Sequence, residues 1–278
     1  MERLNVSSFL KTMEKTKVLF ISQEITPYLP ESEMSLSSRN LPQGIQERNK
    51  EIRTFMPRFG SINERRNQLH EVIRLSGMNL IINDTDHPLI IKVASIQAAR
   101  MQVYFIDNED YFQRKFTTVD NNGIEFADND ERAIFFARGV LETIKKLRWA
   151  PDIVHCQGWF TSLAPLLIKK TMNEDPFFAK SKVVYSIFND GFAKPLDSNI
   201  KSKIQALGVS EKDIELLDDP TYVNLSKLAI NMSDGIIKAS SEIDPEVEKY
   251  AKESGKAFLD FQGEETYINA YNEFYDSL

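Results

Sequence analysis

Short apolar runs alternate with helical patterns along most of this chain. Six of the runs predict buried strands, because apolar and β-branched residues dominate them and polar turns bound them. They cover Lys17 to Ser22, Ile52 to Met56, Gln102 to Ile106, Asp152 to His155, Lys182 to Phe188 and Gly235 to Lys238. Strands that alternate with helices indicate a mostly parallel sheet with helices on both faces, which is the α/β class.

The clearest helical pattern is "ERAIFFARGVLETIKKL", from Glu131 to Leu147, in which the apolar residues share one face at helical spacing. The preceding "ADND" offers a side chain for the N-cap. The segments Gln68 to Ile82 and Leu89 to Ala98 alternate loosely with period two. This pattern predicts a hairpin inserted into the α/β alternation.

The end of the chain is predicted to be helical. A charged helix begins near Pro245, "GKAFLDFQ" is predicted to be a short connector, and a last helix lies within residues 264–278. That helix carries an aromatic face, formed by Tyr267, Tyr271, Phe274 and Tyr275, which has to bury against something. We expect one domain over residues 1–278, with its core at about 17–250 and the last helix packing back on it. A partner surface is the alternative.

Composition and charge narrow the function classes. The chain has 278 residues, 42% of them hydrophobic, and a formal net charge of −7 without a basic stripe, which argues against nucleic acid and membrane partners. No run approaches the roughly 18 apolar residues of a membrane span, and the first 17 residues lack the apolar region of a signal peptide. We therefore expect a cytoplasmic protein. The single cysteine, Cys156, excludes an internal disulfide, and three dispersed histidines form no zinc pattern, so we expect no metal and no cofactor.

Three segments carry a more specific signal when taken together. They are "KVLFISQEITPYLPESEMSLSSRNLPQGIQERNKEIRTFMPRFG", "VYFIDNEDYFQR" followed by "FADNDERAIFFARGVLE", and "WAPDIVHCQGWFTSLAPLLIKK". In this order and spacing they resemble the N-terminal domain of bacterial glycogen synthase and starch synthase, over roughly Lys17 to Lys249. The resemblance implies a single Rossmann-like three-layer domain, the N-terminal half of a GT-B fold, with a C-terminal helical tail. The family transfers glucose from ADP-glucose to an α-1,4-glucan.

The loop after the first strand departs from the family. The family has Lys-Thr-Gly-Gly-Leu at the sugar-nucleotide phosphates, whereas this chain has Pro30, Glu31, Ser32, Glu33 and Met34. Two carboxylates thus replace a cationic loop whose glycines let backbone N–H groups approach a phosphate. We expect ADP-glucose not to bind in the family's manner, because like charges at close range oppose it.

Two family histidines are also replaced, by Phe160 and Phe188. Phenylalanine cannot donate a hydrogen bond to a partly charged transition state. In addition, the segment "DGIIKASSEIDPEV" leads through "GKAFLDFQ" to the last helix with no counterpart of the family's second domain, which supplies most donor contacts. We therefore expect a non-catalytic remnant linked to glycogen metabolism or α-glucan binding, and we assign no catalytic residue. The alternatives are an interaction or scaffold module without carbohydrate binding, or one half of a split synthase whose protein partner carries the missing donor domain.

The resemblance also points to an acceptor cleft at the strand ends. Its candidate residues are Glu24, Tyr28, Asp128, His155, Trp159, Phe160, Phe188 and Asn189. Aromatic faces at the carboxyl end of an α/β sheet can stack on sugar rings. Simpler roles stay open: Asp128 as the N-cap of the next helix, Glu24 as a solvated carboxylate, His155 as a structural core histidine, and the aromatic residues as core packing.

Overall fold

The computed structural model describes residues 14–278, so the segment on which the signal-peptide prediction rests lies mostly outside the described residues. The strands are β1 (Lys17–Ser22), β2 (Glu51–Pro57), β3 (His70–Glu71), β4 (Met78–Ile82), β5 (Thr85–Ile96), β6 (Met101–Asp107), β7 (Ile153–Gln157), β8 (Lys182–Ile187), β9 (Gly235–Lys238) and β10 (Ala257–Leu259). The helices are α1 (Glu33–Glu47), α2 (Glu109–Phe112), α3 (Asn129–Leu147), α4 (Leu163–Thr171), α5 (Ile200–Gln205), α6 (Tyr222–Asn231), α7 (Pro245–Glu253) and α8 (Tyr267–Asp276). Short 3₁₀ segments cover Gln97–Ala99, Trp159–Thr161 and Glu211–Asp218.

The strands form one mixed sheet in the order β10-β9-β8-β7-β1-β2-β6-β5-β3, with β4 paired to β5. The seven strands from β10 to β6 are parallel, and β3, β4 and β5 add antiparallel pairs at one edge. The six predicted strands are all present. Their apolar runs follow from burial on both faces, as β1 shows by being buried from Val18 to Ser22.

Two details at the edges of the sheet bear on the predictions. The predicted hairpin is confirmed as β4 and β5, joined at Asn83 and Asp84, which both have positive φ as a type I′ turn requires. The prediction that "GKAFLDFQ" is only a connector is wrong. Ala257 to Leu259 pair in parallel with β9 as the edge strand β10. A strand of three residues that are exposed or half-buried gives too short a pattern to identify.

Helices cover both faces of the sheet. Neighbouring residues of a strand point to opposite faces. Ser186 contacts His155 on the face where α8 lies, and Tyr185 is on the other face, where α6 packs on β8. On the first face α1 packs against α8, and on the second α3 packs against α4 and α4 against α6. The result is the three-layer α/β architecture.

The last helix, α8, lies against α1 and the middle of the sheet. Tyr271 and Tyr275 of its aromatic face are each only 3% exposed. A Cβ atom on Gly44 of α1 would come within 2.5 Å of Ile268, so the glycine permits close contact between the two helices. Arg48 Nε donates to Asn269 Oδ1 over 2.9 Å at the same interface.

Within residues 14–278, no helix combines the length and apolar character needed to cross a membrane. The same part of the chain contains no cluster of His, Cys, Asp and Glu side chains arranged to hold a metal ion.

Candidate functional site

A cleft of about 370 Å³ lies at the carboxyl edge of the parallel strands. The strand β2 lies on one side of β1 and β7 lies on the other side. The direction in which strands are added to the sheet therefore reverses between β1 and β7. This reversal is where open α/β sheets bind ligands. The lining includes Gln23 and Glu24 after β1, Ser32 and Glu33 at the start of α1, Trp159 after β7, Phe188 to Phe192 after β8, and Ser240 after β9.

The start of α1 forms the acidic wall of the cleft. Ser32 is the N-cap of this helix, and its hydroxyl accepts from Ser35 N in a capping box. The same hydroxyl donates to Glu24 Oε2 over 2.8 Å. Glu33, in the first helical turn, accepts from the Ser240 hydroxyl over 2.6 Å. The two carboxylates are therefore fixed in place by serines that belong to the cleft itself.

This wall determines the electrostatic character of the cleft. A helix N-terminus carries a partial positive charge and usually attracts an anion. Here the chain's own Glu24 and Glu33 are already at that end. Among the described residues that line the cleft there is no lysine and no arginine. The cleft is thus acidic where a phosphate would need donors and cations.

Asp190, which the sequence analysis missed, is the most perturbed ionisable group of the cleft. Its carboxylate accepts from Trp159 N over 2.7 Å and from the Tyr222 hydroxyl over 3.3 Å. Burial raises the pKa of Asp190 to about 7, with Glu24 adding to the shift. The only signal in the sequence is the position of Asp190 two residues after the predicted strand Lys182 to Phe188, in "IFNDGF".

The turn after β7 brings Trp159 to Asp190. Gly158 has a φ of +91°, and a Cβ atom at this position would lie 2.8 Å from Gln23 Oε1. Glycine is therefore required both by the backbone conformation and by the space. Gln23 Oε1 in turn accepts from Phe160 N over 3.0 Å, which ties the turn to the end of β1.

Aromatic side chains also line the cleft. The rings of Trp159 and Phe192 meet edge to face, with centroids 4.7 Å apart. Phe188 also lines the cleft and packs with Met34 and Ala239 in a small apolar cluster separate from the main core. Asn189 beside it is exposed, and its backbone N–H donates to the Ser240 hydroxyl over 3.0 Å.

Three of the predicted cleft residues lie in the core instead. Tyr28 packs edge to face on Phe105, with centroids 4.8 Å apart, and burial raises the pKa of its hydroxyl to about 12. Phe160 is fully buried and contacts Phe59 and Phe136. His155 is also fully buried. Side-chain direction at a strand end depends on the following turn, which the linear pattern does not contain.

His155 is a structural histidine of the core, which is one of the two roles that the sequence leaves open. Its Nδ1 lies 2.6 Å from the Tyr275 hydroxyl of α8 and its Nε2 lies 2.6 Å from Ser186 Oγ. Burial lowers the pKa of the ring to about 3. The ring is therefore neutral at physiological pH and joins the sheet to α8.

Asp128 also lies outside the cleft lining. It has the N-cap position of α3, but its side chain makes no capping hydrogen bond. Its carboxylate instead pairs with Arg114, whose guanidinium stacks over Phe126. In the acidic loop, Ser32 and Glu33 line the cleft, whereas Pro30 and Glu31 are exposed and do not.

Comparison with known proteins shows a relationship over most of the chain. The family model described as "Starch synthase catalytic domain" matches residues 17–260. Glycogen synthase of Chlorobium limicola is 39% identical over 175 residues, which cover 62% of this chain and 36% of that protein. Glycogen synthase of Chlorobaculum tepidum is 34% identical over 234 residues, which cover 73% and 48%.

A solved structure has a similar fold. The catalytic domain of Starch Synthase IV from Arabidopsis thaliana, bound to ADP and acarbose, superimposes with a TM-score of 0.72 at 15% identity. The match covers 90% of this chain and 52% of that one. The chain spans about half, or less, of the length of the curated relatives that it matches. The matched family model and these relatives together show that the chain belongs to the starch synthase catalytic domain family.

Proposed function

We propose that this protein binds α-glucan in the cleft and does not transfer glucose from ADP-glucose by itself. One observation carries the proposal: Glu24 and Glu33 are fixed at the N-terminal end of α1, by hydrogen bonds from Ser32 and Ser240. In the family pattern, a lysine and glycines stand in this loop. Carboxylates stand there in this chain, so the loop lacks the donors and cations on which the binding of a diphosphate depends.

The cost to a nucleotide diphosphate follows from charge. Bringing a diphosphate beside the fixed carboxylates of Glu24 and Glu33 is unfavourable, because like charges at close range repel. Lysine or arginine could offset this repulsion, but the described lining of the cleft offers neither. A neutral ligand avoids the repulsion.

A neutral polyhydroxylated ligand suits the same cleft. Sugar hydroxyls donate hydrogen bonds to carboxylates, and such charge-assisted bonds are stronger than those between neutral groups. Of the aromatic residues in the lining, Phe192 is half-buried and offers an apolar ring to a sugar, whereas Trp159 and Phe188 are each only 3% exposed. The exposed Asn189 amide adds both a donor and an acceptor. This combination supports a glucan over a sugar nucleotide.

Retardation in a native gel with embedded glycogen tests the binding. We expect the wild-type chain to be retarded and Asn189→Ala to be retarded less, because the variant loses an exposed hydrogen-bonding group of the cleft. Asn79→Ala is the matched control, since Asn79 is an exposed asparagine of β4 outside the cleft. Equal mobility of the wild type with and without glycogen would refute glucan binding and favour an interaction module without carbohydrate affinity.

The catalytic part of the proposal has its own test. Incubation of the purified chain with ADP-glucose and glycogen should yield no elongation of the glucan. Turnover by the chain alone would overturn the claim of inactivity while leaving glucan binding intact. Turnover that appears only after addition of a second protein would identify one half of a split synthase.

A further inference from the structure

A second cavity lies at the opposite edge of the sheet from the cleft. It has a volume of about 450 Å³ and lies at the amino-terminal ends of β2 and β6, where Glu51, Arg53 and Gln102 line it. The cleft is at the carboxyl edge, and the seven residues of β2 span about 20 Å. The two sites are therefore separate.

The cavity is positively charged, in contrast to the rest of the protein. Its lining contains four cationic residues, Lys15, Lys50, Arg53 and Arg100, and one acidic residue, Glu51. The whole chain has a net charge of −7. A local excess of cations on an acidic protein attracts anions to this place and not to the surface in general.

The hydrogen-bond donors of the Arg53 guanidinium are only partly used by acceptors of the protein. Its guanidinium lies over the Trp149 ring at 5.3 Å from the centroid, and Nη1 donates to the Ile52 carbonyl over 3.2 Å. Nε is buried and has no hydrogen-bond partner among residues 14–278. Nη2 is 3.6 Å from Glu51 Oε1, an oxygen that accepts a closer bond of 2.6 Å from Trp149 Nε1. The Arg53 side chain is 35% exposed, so the outer part of its guanidinium can donate to a ligand oxygen in the cavity.

The other cations divide into two kinds. The exposed side chains of Lys15 and Arg100 make no hydrogen bond and no ion pair with any residue between 14 and 278. Lys50, by contrast, is buried and paired with Asn272 and Asp276 of α8, both at 2.8 Å. The groups available to an anion are thus Arg53, Arg100 and Lys15. Lys50 lines the cavity but is already paired with α8.

An aromatic ring completes the lining. Tyr104 of β6 is half-buried and stacks on Phe55, with ring centroids 5.0 Å apart and an angle of 19° between the planes. Its ring adds an apolar surface beside the guanidinium groups. A ligand with an anionic group and a planar or ring-shaped part matches both features.

We propose that this cavity binds a small organic phosphate, with the phosphate group on Arg53, Arg100 and Lys15 and the organic part against Tyr104. Guanidinium groups suit phosphate because their N–H donors match its oxygens in geometry and charge. The proposal concerns a site apart from the glucan cleft and does not depend on what that cleft binds.

Isothermal titration with AMP, ribose 5-phosphate and adenosine tests the proposal. We expect the two phosphates to bind and adenosine not to bind. Arg100→Asn should weaken AMP binding about tenfold, or about 1.4 kcal/mol. Arg148→Asn is the matched control. Both arginines are exposed and have a φ of +51°, which asparagine accepts, but Arg148 does not line the cavity.

Each outcome decides one part of the proposal. Absence of phosphate binding, or equal loss in the two variants, would overturn the site. Arg53→Met, which retains an apolar stem over Trp149, should also weaken AMP binding. Unchanged affinity for AMP would show that Arg53 does not contribute to the site. If ribose 5-phosphate binds as tightly as AMP, the phosphate assignment stands and the contribution of Tyr104 to base stacking is refuted.

Discussion

His155 Nδ1 lies 2.6 Å from the hydroxyl oxygen of Tyr275, so a residue of strand β7 and a residue of the last helix share one buried hydrogen bond. The second ring nitrogen is engaged by Ser186 Oγ at the same distance. A neutral imidazole has one donor and one acceptor, and this arrangement uses both. The pair connects α8 to the middle of the sheet.

Tyr275→Phe should therefore destabilise the protein. The substitution preserves the ring but leaves the buried Nδ1 without a partner, which costs about 1–3 kcal/mol. Urea unfolding followed by circular dichroism measures the change. Tyr250→Phe is the control, because the Tyr250 hydroxyl bonds Asn231 in an exposed pair. Equal losses in the two variants would show that the His155 contact contributes nothing special.

The neutral state of His155 predicts a pH dependence. The folded ring has a pKa of about 3, whereas an unfolded histidine takes a proton near pH 6.5, so the unfolded chain binds more protons between these values. The stabilisation is complete above about pH 6.5. It is lost on acidification toward about pH 3, by at most about 1.4 kcal/mol per pH unit. NMR signals of the His155 ring should not move between about pH 8 and about pH 5, and a titration within that range would contradict the prediction.

Asp190 predicts the opposite trend. Its folded pKa is about 7, whereas an unfolded aspartate titrates near 3.9, so the folded chain holds the extra proton between these values. This contribution is complete below about pH 4 and disappears as the pH rises through about 7. The free energy of unfolding of the wild type, relative to Asp190→Asn, should therefore fall from about pH 4 to about pH 7. A difference that stays constant across this range would show that Asp190 ionises normally.

Removal of the acidic wall should change which ligands the cleft accepts. The double variant Glu24→Gln, Glu33→Gln exposes the N-terminal end of α1 to an anion, so we expect measurable binding of ADP in isothermal titration where the wild type shows none. Loss of the Glu33 charge from the first turn should cost about 0.3–1 kcal/mol of stability. Glu31→Gln is the control, since the exposed Glu31 does not line the cleft. ADP binding by the control alone would contradict the role assigned to Glu24 and Glu33.

Several parts of the fold could be predicted from the sequence because their signals are local. The run Val18 to Ile21 of β1 is apolar since both faces of this strand are buried, and α3 repeats apolar residues with the period of a helix. The strand β10 could not be predicted, because its three residues gain strand structure only by pairing with β9. The prediction failed where pairing, and not composition, decides the conformation.

The candidate site divides in the same way. Glu24, Trp159, Phe188 and Asn189 were placed at strand ends, and the structure brings them together around one cleft. The burial of Tyr28, Phe160 and His155 depends on turns and on α8, which approach from distant parts of the chain.

The sequence by itself determined the α/β class, the family and the acidic character of the loop before α1, because these depend on residue type and order along a single segment. Tertiary structure decided which carboxylates reach the cleft, that the Asp190 carboxylate accepts from Trp159 N, and that His155 bonds Tyr275. It also assembled the cationic cavity from residues as far apart as Lys15 and Arg100. Burial and the direction of a side chain are properties of neighbours in space, and the linear order of residues does not state which neighbours those are.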